Sequence, residues 1–314
     1  MILFVIKAGR AAALKALHFT YGKSSPVVAS RGSFFLPLTI FILLSITFIL
    51  TEFHSIADAR EINVPDDYSA IQSAIDSAVS GDTILVREGI YSENLSVDKP
   101  LSLLSIVGAE RTHVEANEAE RPVIILRATE GVTIRGFTFK GSNAAGIFLD
   151  NVSATNINGN IATGNHTGIR LEHSTGNTVT SNTTIENMEG ITLAHSNKNT
   201  LNDNIASNNS EKGILLYYSN DNSISKNTTN DNLWNGITLW SSHRNSVSDN
   251  VSVQNTYAIV VSDSKDNLLS GNREMRRIYY LLPVVLIYIA ALLYLIEKKL
   301  FFLYYSRKSK GRQA

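Results

Sequence analysis

Residues 168–182, GIRLEHSTGNTVTSN, are followed 22 residues later by a close copy of themselves, GITLAHSNKNTLNDN at 190–204. Working outward in both directions aligns the chain on Gly146, Gly168, Gly190, Gly213, Gly236 and Ala258, at spacings of 22, 22, 23, 23 and 22 residues. A fixed period of this size marks a solenoid. One residue after each start stand Ile147, Ile169, Ile191, Ile214, Ile237 and Ile259. Three after stand Leu149, Leu171, Leu193, Leu216, Leu239 and Val261, and eleven after stand Ile157, Val179, Leu201, Ile224, Val247 and Leu269. Alternation at +1 and +3 has the period of a strand with one buried face.

Asparagine fills the corners. It occupies +14 in all six repeats (Asn160, Asn182, Asn204, Asn227, Asn250, Asn272) and +19 in the five complete ones (Asn165, Asn187, Asn209, Asn232, Asn255). At +9 it stands in five of six (Asn177, Asn199, Asn222, Asn245, Asn267), while +6 is Ser in five of six. Asn tolerates the left-handed backbone that bends a chain between strands. Its stacked amides are also expected to bond to the coils above and below. A coil of three short strands cannot bury its aliphatic face alone, so coils must stack. Nothing repeats at 3.6, and Asn is a poor helix former. The expected fold is all-β, a right-handed parallel β-helix on the crossover rule, with clear repeats over 146–272.

Upstream, Tyr68 to Val79 has apolar residues at helical spacing (Ile71, Ala74, Ile75, Ala78, Val79), with Asp66 or Asp67 to cap its start and Gly81 after its end. The expected organisation is an N-terminal strand and cap helix over 60–81, closing the edge of the first coil, followed by the β-helix over 82–273.

The ends read differently. Phe34 to Leu50 is an uncharged apolar run preceded by Lys7, Arg10, Lys15, Lys23 and Arg31, and followed by Ala57-Asp58-Ala59. That is the layout of a secretory signal, cleaved before Arg60 or kept as a signal-anchor in residues 1–59. A second run, Ile278 to Ile296, has 19 residues without a charge, the length of a transmembrane helix. The tail 297–314, with Lys298, Lys299, Arg307, Lys308, Lys310 and Arg312, carries the excess expected on the cytoplasmic side. Both ends place the β-helix outside the cytoplasm, at the cell membrane.

Composition narrows the function. The 314 residues carry 28 Lys+Arg against 28 Asp+Glu, and this balance argues against a nucleic-acid partner held by phosphate electrostatics. With no Cys, disulfides, iron–sulfur clusters, thiolate zinc sites and a cysteine nucleophile are excluded.

The motif Gly-Ile-x-Leu-x-x-Ser-x-x-Asn-x-Ile-x-x-Asn, repeated from Gly146 to Asn272, resembles the NosD family, whose carbohydrate-binding/sugar-hydrolase (CASH) repeats belong to the pectin-lyase-like superfamily. The segment Gly81-Asp82-Thr83-Ile84-Leu85-Val86, then Tyr91, Glu93-Asn94-Leu95 and Lys99-Pro100-Leu101, is similar to the way these proteins open. The resemblance covers roughly 62–273. It implies a parallel β-helix and, for the NosD type, an association with copper delivery during nitrous-oxide-reductase maturation.

Outward side chains should form columns. Position +4 reads Asp150, Glu172, Ala194, Tyr217, Trp240, Ser262; +5 reads Asn151, His173, His195, Tyr218, Ser241, Asp263; +2 includes Phe148 and Arg170. Asp150, Arg170, Glu172, His173, His195, Tyr217, Tyr218 and Trp240 are therefore the candidate ligand residues. Exposed aromatics beside carboxylates suit the apolar faces and hydroxyls of a sugar, while cross-rung packing accounts for the same aromatics without a ligand. Asp150 and Glu172, one rung apart, are the pair a retaining glycosidase would need. Against catalysis, the chain lacks the aspartate and His-Gly motifs of polygalacturonases and the calcium-binding aspartate cluster with catalytic arginine of pectate lyases. No cofactor is required; copper on His173 and His195, or calcium, is the metal alternative. Asn94, Asn151 and Asn208 are the glycosylation candidates among seven Asn-x-Ser/Thr sequons; Asn165, Asn182, Asn227 and Asn250 owe theirs to the repeat. Glycans or surface proteins are the expected partners.

Overall fold

The computed structural model describes residues 59–276 and 281–310. The expected signal segment lies outside them but for Ala59. From Glu61 to Arg276 the chain winds through three parallel sheets of ten, eight and six strands, the last prolonged by a two-stranded sheet. A typical coil contributes one strand to each face; the coil at Gly168 has strands Thr167–Glu172, Thr178–Thr180 and Thr183–Ile185, while the coil at Gly213 meets the third face only through bridges at Thr228.

The register is the one the repeat requires. Ile147, Ile169, Ile191, Ile214, Ile237 and Ile259 pair in sequence up the eight-stranded sheet, as do Leu149 to Val261. Ile157 to Leu269 do so in the ten-stranded sheet. These aliphatic columns are fully buried in every coil but the last.

The corner ladders correct one expectation. The ladder Asn residues do not adopt the left-handed conformation; the residue before each does. Ser181, Asp203, Lys226 and Asp249 have φ of 54–57° and precede Asn182, Asn204, Asn227 and Asn250. The preceding residue makes the turn, and Asn is needed for its amide. Asn182 Oδ1 accepts from Asn160 N–H and Nδ2, and Asn182 Nδ2 donates to Ile157 O and to Asn204 Oδ1 at 2.8 and 3.1 Å. A hydroxyl ladder holds the corner at +6, where Ser174, Ser196 and Ser219 N–H each donate to the next coil's Ser Oγ at 3.0 Å.

The cap helix is shorter than expected. α1, Ile71–Ser77, begins after Ala70, which makes no side-chain cap. Asp66 and Asp67 are engaged elsewhere, Asp66 with Arg87 and Asp67 with Asn63 N–H. Glu93, from the first coil, accepts from Ile71 and Gln72 N–H at 2.9 Å, and Lys99 Nζ donates to Ile75 O and Ala78 O at 3.2 Å. A carboxylate at the N-terminus and an ammonium at the C-terminus both complement the helix dipole. Gln72 pairs with Ser96 N–H and O as a neighbouring strand would, which covers the edge of strand Leu95–Val97.

Buried Asp82 ties this end together, accepting from Val79 N–H (2.9 Å), Arg60 N–H (3.0 Å) and Arg60 Nε (2.9 Å). Burial alone would push its carboxyl up, but these donors outweigh burial and hold it below the ordinary Asp range. A depressed folded-state value stabilises the fold above the unfolded Asp value, near pH ~4, and that contribution is lost as pH falls through the folded value. Asp82→Asn should therefore be less stable at pH 7 and lose less on acidification. Urea unfolding at pH 7 and about 3.5 reads the difference.

The expected membrane span is described only in part. Ile278, Tyr279 and Tyr280 lie outside the described residues, and α2, Leu281–Lys310, holds the rest of the uncharged run, Leu281 to Ile296, before Glu297, Lys298 and Lys299. Among the described residues, no helix is long and apolar enough to cross a membrane.

Candidate ligand-binding face

The eight-stranded sheet presents the candidate residues, and its register gathers them. Asp150 pairs with Glu172, Phe148 with Arg170, and Tyr217 with Trp240 on neighbouring strands. The +5 residues stand at the left-handed corner beside them: Asn151, His173, His195, Tyr218, Ser241 and Asp263 all have φ between 47° and 55°. That conformation costs a non-glycine residue about 1 kcal/mol, partly offset here by ring contacts.

Those contacts run coil to coil. The His173 and His195 rings stack at 5.4 Å with planes 6° apart, and Tyr218 stacks on His195 at 5.3 Å and 1°. Tyr217 meets Tyr218 edge-on at 4.5 Å, and Trp240 meets Tyr217 edge-on at 6.0 Å. Tyr217, Tyr218 and Trp240 keep 37%, 46% and 49% of their surface exposed, so cross-rung packing leaves ring area available.

At the N-terminal end of the strip the polar residues pair off. Arg170 Nε and Nη2 donate to Glu172 Oε2 at 3.2 and 3.0 Å, while the Arg170 guanidinium lies 5.7 Å from the Phe148 ring centroid. Asp150 faces Arg127, 3.9 Å away and in register on the coil below. Arg127 precedes the clear repeats, so repeat alignment alone does not find it. Each acid of the proposed catalytic pair is thus engaged by an arginine in a half-exposed ion pair, an arrangement common on protein surfaces.

A second cluster escaped the sequence reading. Lys212 Nζ lies 3.1 Å from Glu189 and 3.0 Å from Glu211, all mostly buried, and 5.0 Å from the Trp234 ring centroid. Burial pulls the Lys212 ammonium down, but the two carboxylates outweigh it and raise it above the ordinary lysine range. The signal was the length of two coils. Where the period is 23, the extra residue lies between the +19 Asn and the next Gly, in Ser210-Glu211-Lys212 and Leu233-Trp234-Asn235.

The metal alternative does not fit this geometry. Imidazole lone pairs lie in the ring plane, so two nearly parallel stacked rings aim them side by side. A metal about 2.0 Å from each nitrogen needs them to converge. Among the described residues, no three His, Asp or Glu are placed to hold a metal ion.

Of the glycosylation candidates, Asn151 and Asn208 are exposed. Asn94 is not free for a sugar: Nδ2 donates to Glu118 O, Arg121 O and Pro122 O at 3.1, 3.3 and 2.9 Å, and Oδ1 accepts from Glu118 N–H. Asn165, Asn182, Asn227 and Asn250 are buried in the ladders.

Residues 75–274, well over half of the chain, match the family described as "Periplasmic copper-binding protein (NosD)". The chain belongs to the NosD family. A cell surface glycoprotein of Methanothermus fervidus (strain ATCC 43054 / DSM 2088 / JCM 10308 / V24 S) is 32% identical over 124 residues, 39% of this chain. The match spans only 20% of that relative's length. Among solved structures, pectate lyase Pel9A superposes with a TM-score of 0.53 at 12% identity, covering 66% of this chain and 69% of the other. The catalytic domain of a GH87 alpha-1,3-glucanase variant in complex with nigerose gives 0.51 at 12% identity, covering 68% of this chain and 45% of the other. At these identities the likeness shows that the NosD-family chain shares their fold.

Proposed function

We propose that this NosD-family protein is an extracytoplasmic, membrane-anchored β-helix that binds carbohydrate along the strip from Asp150 to Trp240. The observation that carries the reading is the run of half-exposed rings, Tyr217, Tyr218 and Trp240, continuing a column of paired charges on one face. Rings supply apolar platforms for sugar faces, and neighbouring charges and amides supply partners for hydroxyls. The cell surface glycoprotein relative supports an extracytoplasmic setting, as does the family's periplasmic description. Anchoring rests on the 19 uncharged residues from Ile278 to Ile296 and the basic tail behind them.

A glycan array probed with the full chain in detergent tests the reading. Saturable binding should weaken at least tenfold in Trp240→Ala and in Tyr217→Ala, with folding unchanged by circular dichroism. Tyr218→Gly separates recognition from packing: glycine suits the left-handed corner, so stability should hold while affinity falls. Binding that is absent, or indifferent to all three substitutions, would leave the rings as packing alone.

The enzymatic alternative assigns Asp150 and Glu172 to glycan cleavage. Turnover of a bound glycan that vanishes in Glu172→Ala with binding intact would establish it. Copper handling through His173 and His195 is disfavoured by the stacked rings, and an unchanged copper titration of the His173→Ala, His195→Ala double variant is the expected result.

A further inference from the structure

The two ends of the solenoid are finished differently. At the N-terminal end α1 seals the core, with Ile71, Ala74 and Ile75 buried. At the other end the same columns that are fully buried below come to the surface, with Val261 43% and Leu269 41% exposed. Leu268 beside them is 64% exposed. A groove of about 670 Å³ opens there between Trp234, Tyr257, Ile259, Val260 and Val261. The last strands, Tyr257–Ser262, Leu268–Ser270 and Arg273–Arg276, each end their sheet. An uncovered apolar end with unpaired strand edges is a liability that a chain must manage.

We infer that the open C-terminal end of the solenoid is a membrane-facing surface, covered by lipid headgroups and the upper acyl region. The inference rests on the membrane anchoring proposed above and adds an orientation to it. The chain leaves this end at Arg276 and enters α2 at Leu281, five residue steps later, a reach of at most about 18 Å. The uncharged stretch of α2 therefore cannot enter a bilayer without bringing the last coil close to its surface. The chemistry of that end suits the interface. Trp234 and Tyr257 are the residue types that settle at headgroup level, and both are about half exposed. The last coil and its exit carry Lys265, Arg273, Arg276 and Arg277 against Asp263, Asp266 and Glu274; the basic excess lies after Asn272, on the approach to α2, where anionic headgroups would meet it.

The full chain contains no cysteine, so one introduced thiol labels one position. Leu268→Cys and Thr178→Cys lie in one column of the ten-stranded sheet. They stand four coils apart, or about 19 Å at the spacing between strands. Each full-length variant would carry a polarity-sensitive fluorophore and be reconstituted into phosphatidylcholine/phosphatidylglycerol vesicles containing a shallow nitroxide lipid. The Leu268 label should shift to the blue and be quenched at least twofold, with the Thr178 label unchanged. Flotation with the vesicles but no quenching at Leu268 overturns the covered end and leaves the anchor standing. Failure to float removes both, and equal quenching at the two positions means the solenoid lies lengthwise, which also overturns it.

Discussion

Replacing Asn204 with Ala should cost about 4 kcal/mol, a large share of the stability of most domains. Asn204 is buried at the centre of a six-amide ladder. Its Oδ1 accepts Asn182 N–H and Nδ2 at 3.0 and 3.1 Å, and its Nδ2 donates to Val179 O and Asn227 Oδ1 at 2.9 Å. Alanine takes the acceptor from Asn182 N–H and the donor from Val179 O where water does not reach, at about 1–3 kcal/mol for each group so left, while Asn182 Nδ2 keeps Ile157 O and Thr180 O. Asn204→Asp is not a rescue: it keeps the acceptor, loses the donor and buries a charge. Asn158→Ala, on an outward strand position with no side-chain partner among the described residues, should stay within about 0.5 kcal/mol. Urea unfolding followed by circular dichroism separates the two; similar losses would mean that the ladder contributes little.

Gly190→Ala should cost about 3 kcal/mol for a different reason. The backbone at Gly190 is ordinary, but a Cβ there would lie 2.4 Å from Gly213 O, 2.9 Å from Thr184 Oγ1 and 3.0 Å from Ala206 Cβ. Two hydrogen-bonded backbones would have to part, and strain of this kind costs roughly 1–3 kcal/mol or more. The same approach recurs at Gly146, Gly168, Gly213 and Gly236, each facing the next coil's carbonyl at 2.7 or 2.8 Å. Ala258 is the exception because its strand, Tyr257–Ser262, is the last of its sheet. Ala258→Gly should consequently change stability by less than about 1 kcal/mol. Thermal melts of Gly190→Ala and Ala258→Gly make the comparison, and equal shifts would refute the close-approach account.

The fold was legible because a solenoid repeats its physics as well as its letters. Once Gly168 is aligned with Gly190, the register fixes the neighbour of every outward residue. His173 falls beside His195, and Tyr217 beside Trp240, before any coordinates are seen. What the letters could not supply was orientation within a rung. Nothing in the string says that Ser181 rather than Asn182 takes the left-handed turn, or that two imidazoles would stack instead of converging. Contacts outside the period were equally silent. Glu93 and Lys99 hold α1 from 22 and 24 residues away, and Arg127 meets Asp150 from a coil whose sequence does not repeat.

The ladders also make the molecule a ruler. The coils that start at Gly168, Gly190, Gly213 and Gly236 carry the same four corner fastenings, so removing a whole coil, such as 168–189, would rejoin Asn165 to Asn209 and Asn160 to Asn204 with each fastening intact. The rod would shorten by one rung, about 4.8 Å. Removing a single residue instead would misalign all four corners at once. Reach above whatever surface holds the last coil is therefore adjustable in steps of one coil and in nothing smaller.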